Sequence, residues 1–519
     1  MLIKKTAWAA IILIQALLLM SATIRPLSLP DEGRYADIGR WMFITGDWLV
    51  PRLNGIPFFH KPPLLYWLEA ETFHVFGIGV WAARLVPAIH AFMMLVGLYL
   101  SARHVKGEGF ALRVTLVLGT SIGFLIGGQY INHDFPVATW ITIAIGLFAL
   151  AFKSPNIHLT LARLGFMACG FAFLSKGLIG IVLPGTVVLI WLGMLGQLRR
   201  SVQLPWISGS ALFLCMTLPW LLKVQSQFPD FLNYFIVEQH FSRFTSNHFN
   251  SQQPWWFYLP VIGIYVFPWV FLLIWDVIRR IKSHSFKDFF NRRSQDPWIV
   301  LSWVWLLVIF LFFSIPKSKL MGYILPVLVP LAILITHSWD RIAAGKAWRK
   351  FGFLALCGLS VFLALGSNFL ARHNSLKDAS LDTAHQLSCR LKPSDMVYVV
   401  GTYPYDVPFA ANLQKPLILI QDWDEARKDS TDDWRRTFLE GTNFDPETVK
   451  ILRNAQALNE APADGSAWLV SPLEYHMAQP NTSWHLVFKG QSTWLWQTGK
   501  TSPEVINSSQ RPEQLDCQP

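Results

Sequence analysis

Residues 297–315 read PWIVLSWVWLLVIFLFFSI, an apolar run without a single charged side chain. About 17–25 residues of this kind make a helix that crosses a hydrocarbon layer while satisfying its own backbone hydrogen bonds. Outward from this run, comparable stretches lie at 7–24, 80–102, 110–129, 135–152, 161–175, 177–196, 204–224, 255–278, 320–337 and 350–370. Eleven spans are therefore expected, and the shorter or proline-bearing stretches leave room for two more re-entrant or split helices. Composition agrees, since 52% of the 519 residues are hydrophobic and only 15% are charged. Soluble domains carry about a quarter charged residues. The expected class is a polytopic α-helical membrane protein over 1–370. The apolar runs stop there, and 371–519 reads as a small α/β domain in water. Its strand-like segments are MVYVVGTY (396–403), PLILI (416–420), SAWLVS (466–471) and SWHLVFKG (483–490).

The net charge of +11 is mostly orientation. With the N-terminus inside, as Lys4 and Lys5 ask, every inside loop is basic: Arg103 and Lys106, Lys153 and Arg163, Arg199 and Arg200, the group from Arg279 to Arg293, and Arg341 to Lys350. A nucleic-acid partner is excluded, because no aromatic-interleaved basic domain accompanies the charge. The first apolar run is expected to be a retained anchor rather than a cleaved signal. Cys169, Cys215 and Cys357 fall in apolar helices and are expected to be inert thiols. Cys389 and Cys517 both fall in the outer segment, where a disulfide between them would persist.

The polar residues of the outside loops are the informative ones. They are Asp31, Glu32, Arg34, Arg52, His60 and Lys61; Asn132, His133 and Asp134; Ser175 and Lys176; Glu238, His240 and Arg243; and Lys317 and Lys319. All fall on one membrane face. Their cations run against the positive-inside tendency, and a cluster of cations at the interface suits a lipid-borne phosphate. The loop 25–79 is dense with such residues. Residues 30–43, PDEGRYADIGRWMF, are expected to form a short helix lying on the membrane, with Asp31 and Glu32 in its first turn. Two prolines after Lys61 fix a turn before the next helix.

The stretch LPDEGRYADIGRWMFITGDWLVPRLNGIPFFHKPPLLYWLEA (29–70) resembles the first periplasmic loop of bacterial C-type glycosyltransferases of the protein-mannosyltransferase superfamily. Within that group it is most similar to the lipid A aminoarabinose transferase family. NHD (132–134), LSKGLIG (174–180), VEQHFSRF (237–244), PWWFYLP (254–260) and SIPKSKLMGYILP (314–326) follow in the family's order, while 371–519 resembles it weakly. The resemblance implies a GT-C membrane fold of about 11–13 helices with active site and C-terminal domain on the periplasmic face of the bacterial inner membrane. It implies Asp31 and Asp134 as catalytic carboxylates. It also implies Arg34, Lys61, Lys176, Arg243, Lys317 and Tyr323 at the donor phosphate. No cofactor is required. The family's glutamate before the lysine is replaced here by His60, so a zinc ion between His60 and His240 stays open.

The expected activity moves a sugar, aminoarabinose or a hexose, from a polyprenyl-phosphate donor to a periplasmic acceptor such as lipid A or another envelope glycan. The expected chemistry is one inverting displacement. Two alternatives remain: transfer to protein Ser/Thr hydroxyls, and a lipid or glycan transporter. A transporter places charge near the bilayer midplane in repeated halves, and the sequence has neither feature.

Overall fold

The computed structural model describes residues 2–242, 251–282, 296–429, 431–477, 484–499 and 505–507. All eleven apolar stretches are helical. Eight helices among the described residues are long and apolar enough to cross a membrane: Ile3–Ser21, Val80–Lys106, Asp134–Ala151, Leu159–Lys176, Trp206–Gln227, Pro297–Ser314, Met321–Ile342 and Arg349–Asp378. The chain is thus a multi-pass membrane protein.

The other three stretches depart from a straight span for local reasons. Tyr258–Tyr265 and Val270–Arg279 meet at a bend of 114°, with Pro268 in the break. The stretch 110–129 divides at Ser121, whose backbone is extended, into Glu108–Thr120 and Ile122–Gly127. Ile179–Met194 is helical but shorter than a full span. The first helix packs into the bundle through buried Ala7, Ile11, Ile14 and Leu18.

Residues 31–45 form the expected helix, which ends at Gly46 in the left-handed region (φ 68°). It does not lie open on the membrane surface. Ala36, Ile38 and Met42 are buried in one core with Val397, Tyr403, Phe409 and Leu417 of the C-terminal segment. A hairpin follows, β1 (Arg52–Leu53) and β2 (Ile56–Pro57), closed by Asn54 and Gly55, both at positive φ. An Asn-Gly pair is the favoured sequence for such a turn.

Among the described residues the C-terminal segment builds one seven-stranded sheet, ordered β5-β4-β3-β6-β8-β7-β9. β3 (Met396–Val400), β4 (Ile418–Ile420), β5 (Leu452–Arg453) and β6 (Ala467–Pro472) run parallel. β7 (Trp484–Lys489) and β8 (Thr493–Thr498) continue it antiparallel, and β9 (Ile506–Asn507) pairs with β7. β8 is a strand that the sequence reading did not separate from its surroundings. Cys389, on the helix Leu381–Arg390, is disulfide-bonded. Its expected partner Cys517 lies outside the described residues. Cys169 and Cys357 are buried free thiols, whereas Cys215 is exposed.

The sheet-bearing segment is fastened to the loop 25–79. Asn54 donates to the Leu417 carbonyl at 2.9 Å and accepts the Leu417 N–H at 2.7 Å. Arg52 pairs with Asp445 at 2.9 Å, and buried Arg40 donates to the Leu413 carbonyl at 2.5 Å. Unpaired backbone groups are costly once buried, so these contacts also fix register between the two segments.

Candidate active site

The helix Asp31–Thr45 starts where Glu32 is locked. Its carboxylate pairs with Arg25 and with Arg84 (2.8 Å), and accepts the Ser28 N–H (2.8 Å) and the Ile131 N–H (3.1 Å). All three side chains are buried. Burial alone would raise the Glu32 carboxyl, but Arg84 and Arg25 hold it at about 2. One carboxylate therefore ties the turn that carries Asp31 and Arg34 to the turn that carries Asn132 and Asp134.

Asp31 and Arg34, one turn apart on a helix, face a cavity of about 760 Å³. His60, Lys61, Asn132, His133, Asp134, Lys176 and Tyr323 also line it, as do residues of the C-terminal segment that include Tyr405, Asp406 and Trp434. Burial pushes the Asp31 carboxyl above its ordinary range. Arg34 opposes that shift, and neighbouring Asp134 and Glu32 add to it. Arg34 donates to the Tyr405 hydroxyl at 3.2 Å, with its guanidinium 4.9 Å from the Tyr405 ring centre.

Lys176 ends the helix Leu159–Lys176 and forms an ion pair with Asp134, the first residue of Asp134–Ala151. Its ammonium also lies 3.9 Å from the Tyr323 ring centre. Asn132 caps the start of the Asp134 helix, accepting the Asp134 N–H at 3.0 Å and the Phe135 N–H at 3.3 Å. Gly322 passes so close that a Cβ there would collide with the Asp134 carboxylate. His133 bridges the Ser175 carbonyl (2.7 Å) and the Tyr66 hydroxyl (3.1 Å). Burial drives its imidazole well below the usual range, so it serves as a neutral strut.

His60 stacks on Phe58 at 4.3 Å and faces Glu440 at 3.4 Å. Glu440, on the helix Trp434–Thr442, also accepts the Tyr234 hydroxyl and the Arg436 guanidinium, each at 2.7 Å. Burial works to raise this carboxyl, yet His60, Tyr234 and Arg436 hold it at about 2. Among the described residues no group of three His, Cys, Asp or Glu could hold a metal ion. His60 and Glu440 offer two donors where zinc takes three or four protein ligands. The side chain of His240, the other expected ligand, lies outside the described residues.

Of the sequence candidates, the structure gathers Asp31, Arg34, His60, Lys61, Asp134, Lys176 and Tyr323 around one cavity. Lys317 is exposed and is not among the lining residues. It sits on the loop joined to 251–253 by the Lys317 carbonyl to Gln253 N–H bond of 2.9 Å. Arg243 lies outside the described residues. The sequence reading missed Tyr405, Asp406, Trp434 and Glu440. They come from the segment where the family resemblance is weak, several hundred residues along the chain. The Asn54–Gly55 turn that seats this segment was a readable signal.

A family profile described as dolichyl-phosphate-mannose-protein mannosyltransferase matches residues 60–222. An undecaprenyl phosphate-alpha-4-amino-4-deoxy-L-arabinose arabinosyl transferase 2 of Pseudomonas fluorescens is 33% identical over 70% of the chain. That match takes in 62% of the relative's own length. Among solved structures, ArnT from Cupriavidus metallidurans, crystallised with undecaprenyl phosphate, superposes with a TM-score of 0.79 at 22% identity. The alignment covers 96% of this chain and 100% of that one. An oligosaccharyltransferase from Archaeoglobus fulgidus, crystallised with zinc and sulfate, is similar at a TM-score of 0.51 and 11% identity, over 94% and 73% of the two chains. The fold is therefore that of the GT-C membrane enzymes.

Proposed function

We propose that the chain is an integral-membrane glycosyltransferase that moves aminoarabinose from an undecaprenyl phosphate donor to lipid A at the periplasmic face of a bacterial inner membrane. The observation that carries this reading is the joining of Arg34, Lys61 and Lys176 with Asp31 and Asp134 around one cavity. The similarity to aminoarabinose transferases named for that donor supports the choice of sugar and carrier.

Attack at the anomeric carbon expels the carrier phosphate, so charge grows on phosphoryl oxygens as the bond breaks. Lys61, Arg34 and Lys176 are cations that line the one cavity proposed to take the leaving phosphate, and preorganised charge of this kind is the largest single source of catalysis at many sites. Asp134 and the Tyr323 ring keep Lys176 oriented. Asp31, raised by burial, orients the acceptor, or takes its proton where the acceptor is a hydroxyl. A lipid A phosphate acceptor is already ionised and needs no base. With one displacement the sugar inverts. Each of these steps uses the chain's own side chains.

The profile match at 60–222 favours one second reading, transfer to protein hydroxyls. Mass spectrometry of lipid A and of envelope glycoproteins from a deletion strain separates the two. Loss of aminoarabinose from lipid A is expected. Unchanged lipid A with lost glycoprotein sugar would shift the assignment to the second reading, and no change in either would refute both.

A further inference from the structure

Lys61 follows two residues that the C-terminal segment grips. Phe59, before His60, packs its ring edge-on to Phe444 at 5.0 Å. His60 meets the Glu440 carboxylate at 3.4 Å. Glu440 is itself held from two sides, by the Tyr234 hydroxyl and the Arg436 guanidinium, and Tyr234 is in turn fixed by Gln239 at 3.0 Å. The neighbouring Gly441 is pressed onto the first-loop hairpin, because a Cβ there would strike Ile56 and the Pro57 carbonyl. On the other side of Lys61 the chain is stiffened by Pro62 and Pro63, both buried. A lysine has a long flexible stem, so where its ammonium rests depends on how firmly its backbone is set.

We propose that Glu440 is a positioning residue of the donor site, acting through His60 to set the backbone that presents Lys61 to the carrier phosphate. The C-terminal segment is then a working part of that site rather than an appendage. The pairing joins distant parts of the chain. A histidine occupies position 60, and the carboxylate facing it comes from a helix 380 positions later. This inference rests on the donor-binding role proposed for Lys61.

The test uses the full chain in detergent, with undecaprenyl phosphate as the binding probe and aminoarabinose transfer as the activity. Glu440→Gln, and His60→Glu, which sets two carboxylates against each other, should each weaken undecaprenyl phosphate binding by about ten-fold, the scale of one charge-assisted hydrogen bond. Donor KM should rise in step, and kcat should fall with it, because a displaced Lys61 also stabilises the leaving phosphate less well. The double variant His60→Glu/Glu440→His restores an imidazole facing a carboxylate with the partners exchanged, and should regain most of the affinity. Singles that bind normally, singles that lose kcat at unchanged KM, or a double variant that folds without regaining affinity would each overturn the proposal. If a single variant does not fold, the double variant decides by the same criterion. Lys61→Ala separates the two levels. Normal binding by Lys61→Ala removes the donor-site reading and this inference together, whereas a Lys61→Ala defect beside normal Glu440 variants removes this inference alone.

Discussion

Replacing Glu32 by Gln keeps the size of the side chain and removes one charge from a site with no access to water. In the native protein that charge answers two buried guanidinium groups, Arg25 and Arg84, and two backbone N–H groups. Arg84 has further bonds to the Ala22, Arg25 and Pro26 carbonyls, at 2.6, 2.7 and 2.8 Å, so it cannot swing out to solvent without breaking them. Removing one member of a buried ion pair costs about 3–5 kcal/mol, because the partner charge is left uncompensated. Gln still offers one oxygen to the Ile131 or Ser28 N–H, which places the expected loss near the lower end. Thermal aggregation of the detergent-solubilised protein, followed by size-exclusion chromatography, should show a melting point lowered by several degrees. Transfer should also fall, since Asp31 and the Asn132–Asp134 turn are no longer tied to one anchor. A Glu32→Gln variant within about 0.5 kcal/mol of wild type, the range of ordinary surface changes, would refute the view that this carboxylate holds the site together.

Asp31→Asn and Asp134→Asn preserve volume and remove charge; each should lower turnover more than donor affinity, read from kcat and from undecaprenyl phosphate binding, and the reverse pattern would make them binding residues. Glu69 is buried with neither carboxylate oxygen partnered among the described residues, and burial, then Glu32, raises its carboxyl well above 4.5. The folded state therefore keeps a proton that the unfolded state gives up, so this group's stability is intact below the unfolded value and falls as pH rises above it, by about 1.4 kcal/mol per unit until the folded carboxyl ionises. Glu69→Gln should accordingly raise the melting point at pH 7.5 and change it little at pH 4.5; equal effects at both would contradict the assignment. In a variant without exposed Cys215, Thr45→Cys and a cysteine at Gln414, both at exposed positions, should react with an impermeant reagent from the periplasm, and Arg199→Cys should not; labelling at 199 in intact cells would reverse the orientation.

The membrane helices were legible because a bilayer imposes a length and a polarity that a sequence cannot hide, and every apolar stretch is helical. Where the reading fell short, the cause was local backbone detail. Ser121 divides one stretch and Pro268 accompanies the bend in another, and neither shortens the hydrophobic run that carries the signal. Asp31, Arg34, Lys61, Asp134 and Lys176 were legible because they stand in dense motifs on alternate loops. Glu440, Tyr405 and Asp406 were not, because their proximity to the site arises only when the sheet docks through Asn54 and Leu417. The helix at 31–45 shows the same limit. Its apolar spacing fits a membrane surface as well as a protein core, and only the fold decides that Ala36, Ile38 and Met42 meet the C-terminal segment.

Transfer in a defined system tests the central claim most directly. The purified chain in liposomes with undecaprenyl phosphate-aminoarabinose and lipid A, followed by mass spectrometry, should yield lipid A carrying the amino sugar, and Lys61→Ala of normal fold should yield less than a tenth as much, a loss of about 1.4 kcal/mol or more in the barrier. Folded wild-type protein that transfers nothing, or a Lys61→Ala variant that keeps more than that tenth, would contradict it.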